Sequence, residues 1–317
     1  MRWIKAGLAI VLALLFADPA HAACGRFDRE NPCKTRNGHY RIILPDGQAP
    51  YPAVLYLYGS LGNSGDLIRS RGFVQSFTNR GYAVIVPAGL NLQYTTGIGS
   101  GWFLRNSRAK KDRDDTKFVA EVLTDAERRH QIDRRRVLIA GMSNGGFLTW
   151  EIACHAPHLG AAFAPVAAGY LGDMPAQCVR PVRILHTHGR ADNVVTVDDS
   201  GDRVSGGARI MLLDDTMQRI ARSNGCVREG TPEAFLDYDR TTWEGCPRGG
   251  SVDLLLHDGG HTIPSSWFRY VIDWFEGSGT VSAARGGGTA RFKSAGDRAG
   301  RFQSSVGQNR RFKRVRD

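Results

Sequence analysis

Apolar residues in this chain come mostly in short unbroken runs rather than in alternation with polar ones. Seven such runs predict strands: His39–Pro45, Ala53–Tyr58, Tyr82–Pro87, Arg136–Met142, Ala161–Val166, Val182–Thr187 and Val252–His257. Stretches such as AVLYLY, YAVIVP and VLIAG leave no polar face. That is the pattern of central strands covered on both sides, as in parallel α/β sheets. Amphipathic stretches between them predict helices over Asp66–Thr78, Asp114–Arg129, Asn144–Ala153, Ile210–Ser223 and Ser265–Phe275. Strands and helices in alternation point to the α/β class, with an open, mostly parallel central sheet and helices on both faces.

The two ends break this pattern. Arg2 and Lys5 precede the apolar run Ala6 to Ala17, and Ala20-His21-Ala22 has the small-x-small form of a signal-peptidase site. The run is shorter than the ~18 apolar residues of a membrane span, so residues 1–22 read as a signal peptide and the protein as secreted or periplasmic. Beyond Glu276 the composition falls to Gly, Ser, Ala and Arg, which predicts a disordered basic tail over residues 277–317. A single folded body of residues 23–276 is left between them.

Charge and cysteines refine that division. The net charge is +11, but residues 277–317 hold ten Lys/Arg against Asp297 and Asp317. The body itself carries about +2 and presents no basic nucleic-acid face. All six cysteines follow the expected cleavage point. In an exported protein they imply disulfides, and neighbour pairing is the simplest arrangement: Cys24–Cys33, Cys154–Cys178 and Cys226–Cys246. No C-x-x-C spacing marks a metal or redox site, so no metal is expected. In the tail, Arg291-Phe292, Arg301-Phe302 and Arg311-Phe312 recur every ten residues, a spacing suited to an anionic surface.

The candidate chemistry sits at strand ends. VLIAG runs into Met142-Ser143-Asn144-Gly145-Gly146, so Ser143 falls on a tight strand-to-helix turn flanked by Gly141 and Gly145. This is the G-x-S-x-G arrangement that lifts a nucleophile to the carboxyl edge of a sheet. The strand Val182–Thr187 leads into His188-Gly189-Arg190-Ala191-Asp192, and Val252–His257 into Asp258-Gly259-Gly260-His261. Ser143, Asp192 and His261 thus follow the chain order of a nucleophile–acid–base triad. His188 competes with His261 as the base but lies only four residues before the acid, which favours a structural or pocket-lining place. Asp198 and Asp199 are weaker acids, past the strand end. The turn Tyr58-Gly59-Ser60-Leu61-Gly62-Asn63 follows the strand Ala53–Tyr58, which assigns an oxyanion hole to the backbone amides of Ser60 and Asn144.

Taken together, "LYLYGSLGN", "GMSNGG", "HGRADNVV" and "TTWEGC…GGHTIP" resemble the secreted polyhydroxybutyrate-depolymerase and feruloyl-esterase family of α/β hydrolases, over roughly Arg41 to Phe275. The resemblance implies serine carboxylic-ester hydrolysis without metal or organic cofactor. It places Ser143 as nucleophile, Asp192 as acid and His261 as base, and likens Cys226–Cys246 to a disulfide set just before the histidine strand. Two positions depart from the family: Tyr58 stands where histidine is common, and Ile263 where tryptophan often follows His-Thr. Tyr58, Trp102, Phe103 and His188 are the candidate substrate-binding residues.

Four functions compete. The first is a polyhydroxybutyrate-depolymerase-like esterase acting on polyester or oligoester bonds. A feruloyl or acetyl esterase on plant polysaccharide uses the same triad. An S9-like peptidase shares G-x-S-x-G-G, but no propeller-like repeats precede the body. The last is a silent hydrolase fold that binds anionic surfaces through its tail.

Overall fold

The computed structural model describes Cys24 and residues 31–94, 97–104, 113–197, 209–247 and 249–277. The expected signal peptide, Asp198, Asp199 and the Arg-Phe repeats lie outside the described residues.

Six strands run parallel through the middle of one sheet: β3 (Tyr51–Leu57), β4 (Ala83–Pro87), β7 (Ile132–Met142), β8 (Ala162–Val166), β9 (Arg183–Gly189) and β13 (Ser251–His257). Their order across the sheet is β4-β3-β7-β8-β9-β13. Every residue of β4 and β8 is buried, as the unbroken apolar runs require. Antiparallel strands β1 (Cys33–Thr35) and β2 (Gly38–Ile43) extend the β4 edge. Beyond β13 the sheet continues through β12 (Tyr238–Glu244) to β10 (Arg228–Glu229) and β11 (Glu233–Phe235). A separate hairpin pairs β5 (Leu90–Tyr94) with β6 (Gly97–Gly101).

The seven expected strands are all present. Those absent from the expectation, β1, β5, β6 and β10 to β12, are short or polar. Strand β12 buries Tyr238, Thr241 and Trp243 while Asp239 and Glu244 face outward, so its half-buried pattern offers no apolar run to find. The helix expected over residues 66–78 divides into α1 (Ser64–Arg69) and α2 (Arg71–Thr78). Ser70 sits between them with ψ 99°, outside helical geometry, and its N–H bonds back to Asp66 and Leu67. The remaining helices are α3 (Asp115–His130), α4 (Asn144–His155), α5 (Leu213–Asn224) and α6 (Trp267–Phe275).

Chain connections place the site. From β3 the chain moves to β4 on one side, and later strands are added from β7 on the other. The carboxyl ends of β3 and β7 therefore flank the switch point, where an open sheet leaves a crevice. Disulfides join Cys24 to Cys33, Cys154 to Cys178 and Cys226 to Cys246. Among the described residues, one group has metal-ligand spacing, Cys24, Cys33 and His130, and both of its sulfurs are spent on the disulfide. No helix among the described residues is long and apolar enough to cross a membrane.

Candidate active site

Ser143 stands between β7 and α4 with φ 53° and ψ −121°. A non-glycine residue in this region costs about 1–3 kcal/mol and persists only where its surroundings dictate it. Here they do. The Ser143 N–H bonds Val166 O at 2.9 Å on β8, and its carbonyl accepts the Phe147 N–H at 2.9 Å in the first turn of α4. Gly145 explains why the turn can be so tight: a Cβ on it would run into the carbonyl oxygens of Leu57 and Tyr58. The helix therefore starts directly over the end of β3, and its first N–H groups, Asn144 included, have no intrahelical acceptor.

The turn after β3 abuts the same serine. A Cβ built on Gly59 would lie 3.3 Å from Ser143 Cβ and 3.9 Å from Oγ. Ser60 follows, exposed, and the turn is closed by Gly62 N–H to Gly59 O at 3.1 Å and Leu61 N–H to Ser100 O at 2.9 Å.

The candidate acid and base meet at the ends of β9 and β13, which pair through His257 opposite Gly189. The loops beyond them run side by side, with Arg190 N–H to His257 O at 2.8 Å and Ala191 N–H to Gly259 O at 3.1 Å. His261 Nδ1 lies 2.8 Å from Asp192 Oδ2. The other carboxylate oxygen, Oδ1, accepts the N–H groups of Val194 and Val195, each at 2.9 Å. Burial alone would raise the Asp192 carboxyl, but hydrogen bonds from His188, His261 and the two valine amides outweigh it and hold the group well below the usual carboxylate range. Asp192 is therefore an anion at any pH where histidine works. Both histidines reach Oδ2, His188 at 3.3 Å and His261 at 2.8 Å. His188 is 1 % exposed and His261 retains an accessible edge, which favours His261 as the base.

A model of the prolyl oligopeptidase family matches residues 70–170, a span that holds Ser143 but neither Asp192 nor His261. Feruloyl esterase D of Neurospora crassa is 27% identical over 79% of this chain and 87% of its own length. A bifunctional acetylxylan esterase/xylanase of Neocallimastix patriciarum is 29% identical over 78% of this chain, which spans only 35% of that protein. Among solved structures, an acetyl xylan esterase from Aspergillus awamori superposes with a TM-score of 0.56 at 15% identity, covering 78% of this chain and 98% of that one. The chain has the α/β-hydrolase fold and is similar to carboxylic-ester hydrolases.

Three of the four expected substrate-binding residues, Tyr58, Trp102 and His188, lie in the interior. Tyr58 and Trp102 are 3 % and 2 % exposed and spend their polar atoms internally. The Tyr58 hydroxyl lies 2.8 Å from Ser100 Oγ and accepts the Gly89 N–H at 2.6 Å. Trp102 Nε1 donates to Tyr58 O at 2.8 Å. They tie the β5–β6 hairpin to the turn after β3 and have no surface to offer a ligand. His188 is likewise interior. Phe103, half-buried, alone of the four keeps an open face, and its N–H is held by Asp115 at 2.7 Å.

Sequence reasoning missed the Asn144 side chain, the amides of Val194 and Val195, and His186. Only the last had a visible signal: His186 and His188 are two residues apart on a strand and so share a face.

Proposed function

We propose that this esterase is an exported serine hydrolase that removes acyl groups esterified to polysaccharide, through a Ser143–His261–Asp192 triad. The pairing of His261 with Asp192 at 2.8 Å, together with the strained strand-to-helix turn that holds Ser143, carries the reading. Ser143 Oγ attacks the ester carbonyl while His261 Nε2 takes its proton, and Asp192 accepts the His261 Nδ1–H and stabilises the imidazolium. The amides of Ser60 and Asn144 bind the oxyanion, a contribution typically of 10²–10³ in rate per donor. Collapse of the intermediate passes the proton to the departing alcohol and leaves an acyl-serine, which water, activated by the same histidine, hydrolyses.

The substrate class rests on the relatives. Esterases named for feruloyl and acetylxylan substrates span most of this body, which favours aromatic or acetyl esters of plant polysaccharide over the hydroxyalkanoate polyester suggested first by the motifs. Export rests on the leader-like residues 1–22 and on the three disulfides, and the basic tail suits a polyanionic matrix.

The test is a panel of methyl ferulate, acetylated xylan and hydroxybutyrate oligomers, run with wild type and Ser143→Ala. Turnover of the first two, abolished in the variant, is the expected result. Turnover confined to the oligomers would move the assignment to polyesters, and an active Ser143→Ala would remove the triad.

A further inference from the structure

A directional chain of hydrogen bonds runs from the interior to Asp192. Trp150 Nε1, on α4, lies 3.3 Å from His186 Nδ1. His186 Nε2 lies 3.0 Å from His188 Nδ1. His188 Nε2 in turn lies 2.8 Å from Val195 O and 3.3 Å from Asp192 Oδ2. All three side chains are essentially inaccessible.

The direction of every bond follows from one proton. An indole N–H can only donate, so His186 Nδ1 accepts. Complete burial, reinforced by neighbouring His188, holds His186 well below the ordinary histidine range and keeps it neutral. A neutral ring whose Nδ1 accepts carries its proton on Nε2, which donates to His188 Nδ1. His188 is left with its own proton on Nε2, directed at Val195 O and Asp192.

We propose that Trp150 and His186 form a tautomer lock that keeps His188 a neutral donor to Asp192, making His188 a positioning residue for the acid. The proposal rests on the triad reading. Protonating His188 would place a proton on Nδ1, against His186 Nε2–H. Reversing His186 to relieve that contact would turn its Nδ1–H against the Trp150 N–H. Either state buries two donors facing each other with no acceptor, which is expensive where water cannot enter. Of the two imidazoles on Asp192, only His261 is then free to become cationic, and the carboxylate's charge is reserved for it. The other titratable group acting on His188 is His257 of β13, itself next to Asp258. Burial, and then His188, lower His257, and its Nδ1 accepts the Gly259 N–H at 3.0 Å. It therefore adds no competing positive charge near neutral pH.

The test combines nitrogen NMR with kinetics. In protein labelled with ¹⁵N-histidine, His188 of the wild type is expected to show the Nε2–H pattern, with Nδ1 unprotonated. In Trp150→Phe the direction of the chain is no longer fixed, and an Nδ1–H pattern should appear at His188. His188→Gln retains a donor of similar reach and should keep kcat near wild type. His188→Leu should lose on the order of 10- to 100-fold in kcat with little change in KM, the effect of a displaced catalytic group. An imidazolium or an Nδ1–H tautomer at wild-type His188 would overturn the lock, even if Trp150→Phe failed to fold. Wild-type kcat in His188→Leu would overturn the positioning role. Ser143→Ala in parallel separates the two levels: its activity would sink the triad, whereas the NMR result concerns the lock alone.

Discussion

The Asn144 side chain grips the backbone of Trp102 on both sides: its Oδ1 accepts the Trp102 N–H at 2.7 Å, and its Nδ2 lies 3.5 Å from the Trp102 carbonyl. The side chain of the residue after Ser143 thus anchors the segment that follows the β5–β6 hairpin.

Asn144→Ala keeps the amide and removes the anchor. The Trp102 N–H loses its acceptor, which costs about 1–3 kcal/mol where water cannot replace it. Thermal unfolding should shift downward by a corresponding amount. Ester turnover should fall about 10-fold or more as the elements around Ser143 loosen. Unchanged melting and turnover would show that the anchor is idle.

Gly189 ends β9 where the loop bearing His261 crosses it. A Cβ there would collide with the carbonyl oxygens of Gly259 and Gly260. Gly189→Ala should therefore push His261 away from Asp192 and reduce kcat on the order of 10²-fold, the scale of a 1 Å misplacement. Gly72, with open space around its Cβ position and no left-handed backbone, supplies a control site elsewhere. Full activity in Gly189→Ala would mean that the loop shifts without harm.

Asp192 sets a pH dependence of known sign. Its folded carboxyl lies below the unfolded value, so its ionised form stabilises the fold above the ordinary carboxylate range of about 4, and that contribution is lost as pH falls through the lowered value. The stability gap between wild type and Asp192→Asn should be full above about pH 5 and shrink in stronger acid. Parallel melting profiles of the two proteins check this, and a gap that stayed constant from about pH 5 into strong acid would contradict the sign.

The Cys226–Cys246 bridge closes 20 residues that include β12, the strand paired with β13. Replacing both with serine should cost about 3 kcal/mol by loop entropy. His261 lies beyond β13, so kcat below the new melting point should stay near wild type. A large loss of kcat with unchanged stability would contradict this division.

The tail prediction concerns residues outside the described structure. Truncation after Glu276 removes a segment with net charge +8 and no triad member. Turnover of small esters should be unchanged, and retention on a polyanionic matrix should weaken at low salt. Equal retention of both forms across a salt series would leave the Arg-Phe repeat without that role.

How much of this was legible beforehand depended on distance along the chain. The six parallel strands and Ser143 between its glycines are local features. Unbroken apolar runs demand burial on both faces, and a G-x-S-x-G turn is steric within a few residues. The order Ser143, Asp192, His261 named a triad without bringing its members together. Tertiary structure brings Asp192 and His261 together, by pairing β13 with β9 and leaving Gly189 bare beneath the His261 loop. It also decided which polar groups face inward. Tyr58, Trp102 and His188 read as pocket walls because they lie next to motif residues, but their hydrogen-bond partners are 31 to 44 residues away for Tyr58 and Trp102, and across the Asp192 loop for His188. A buried donor must find an acceptor wherever the fold supplies one, and no local pattern records which acceptor that will be.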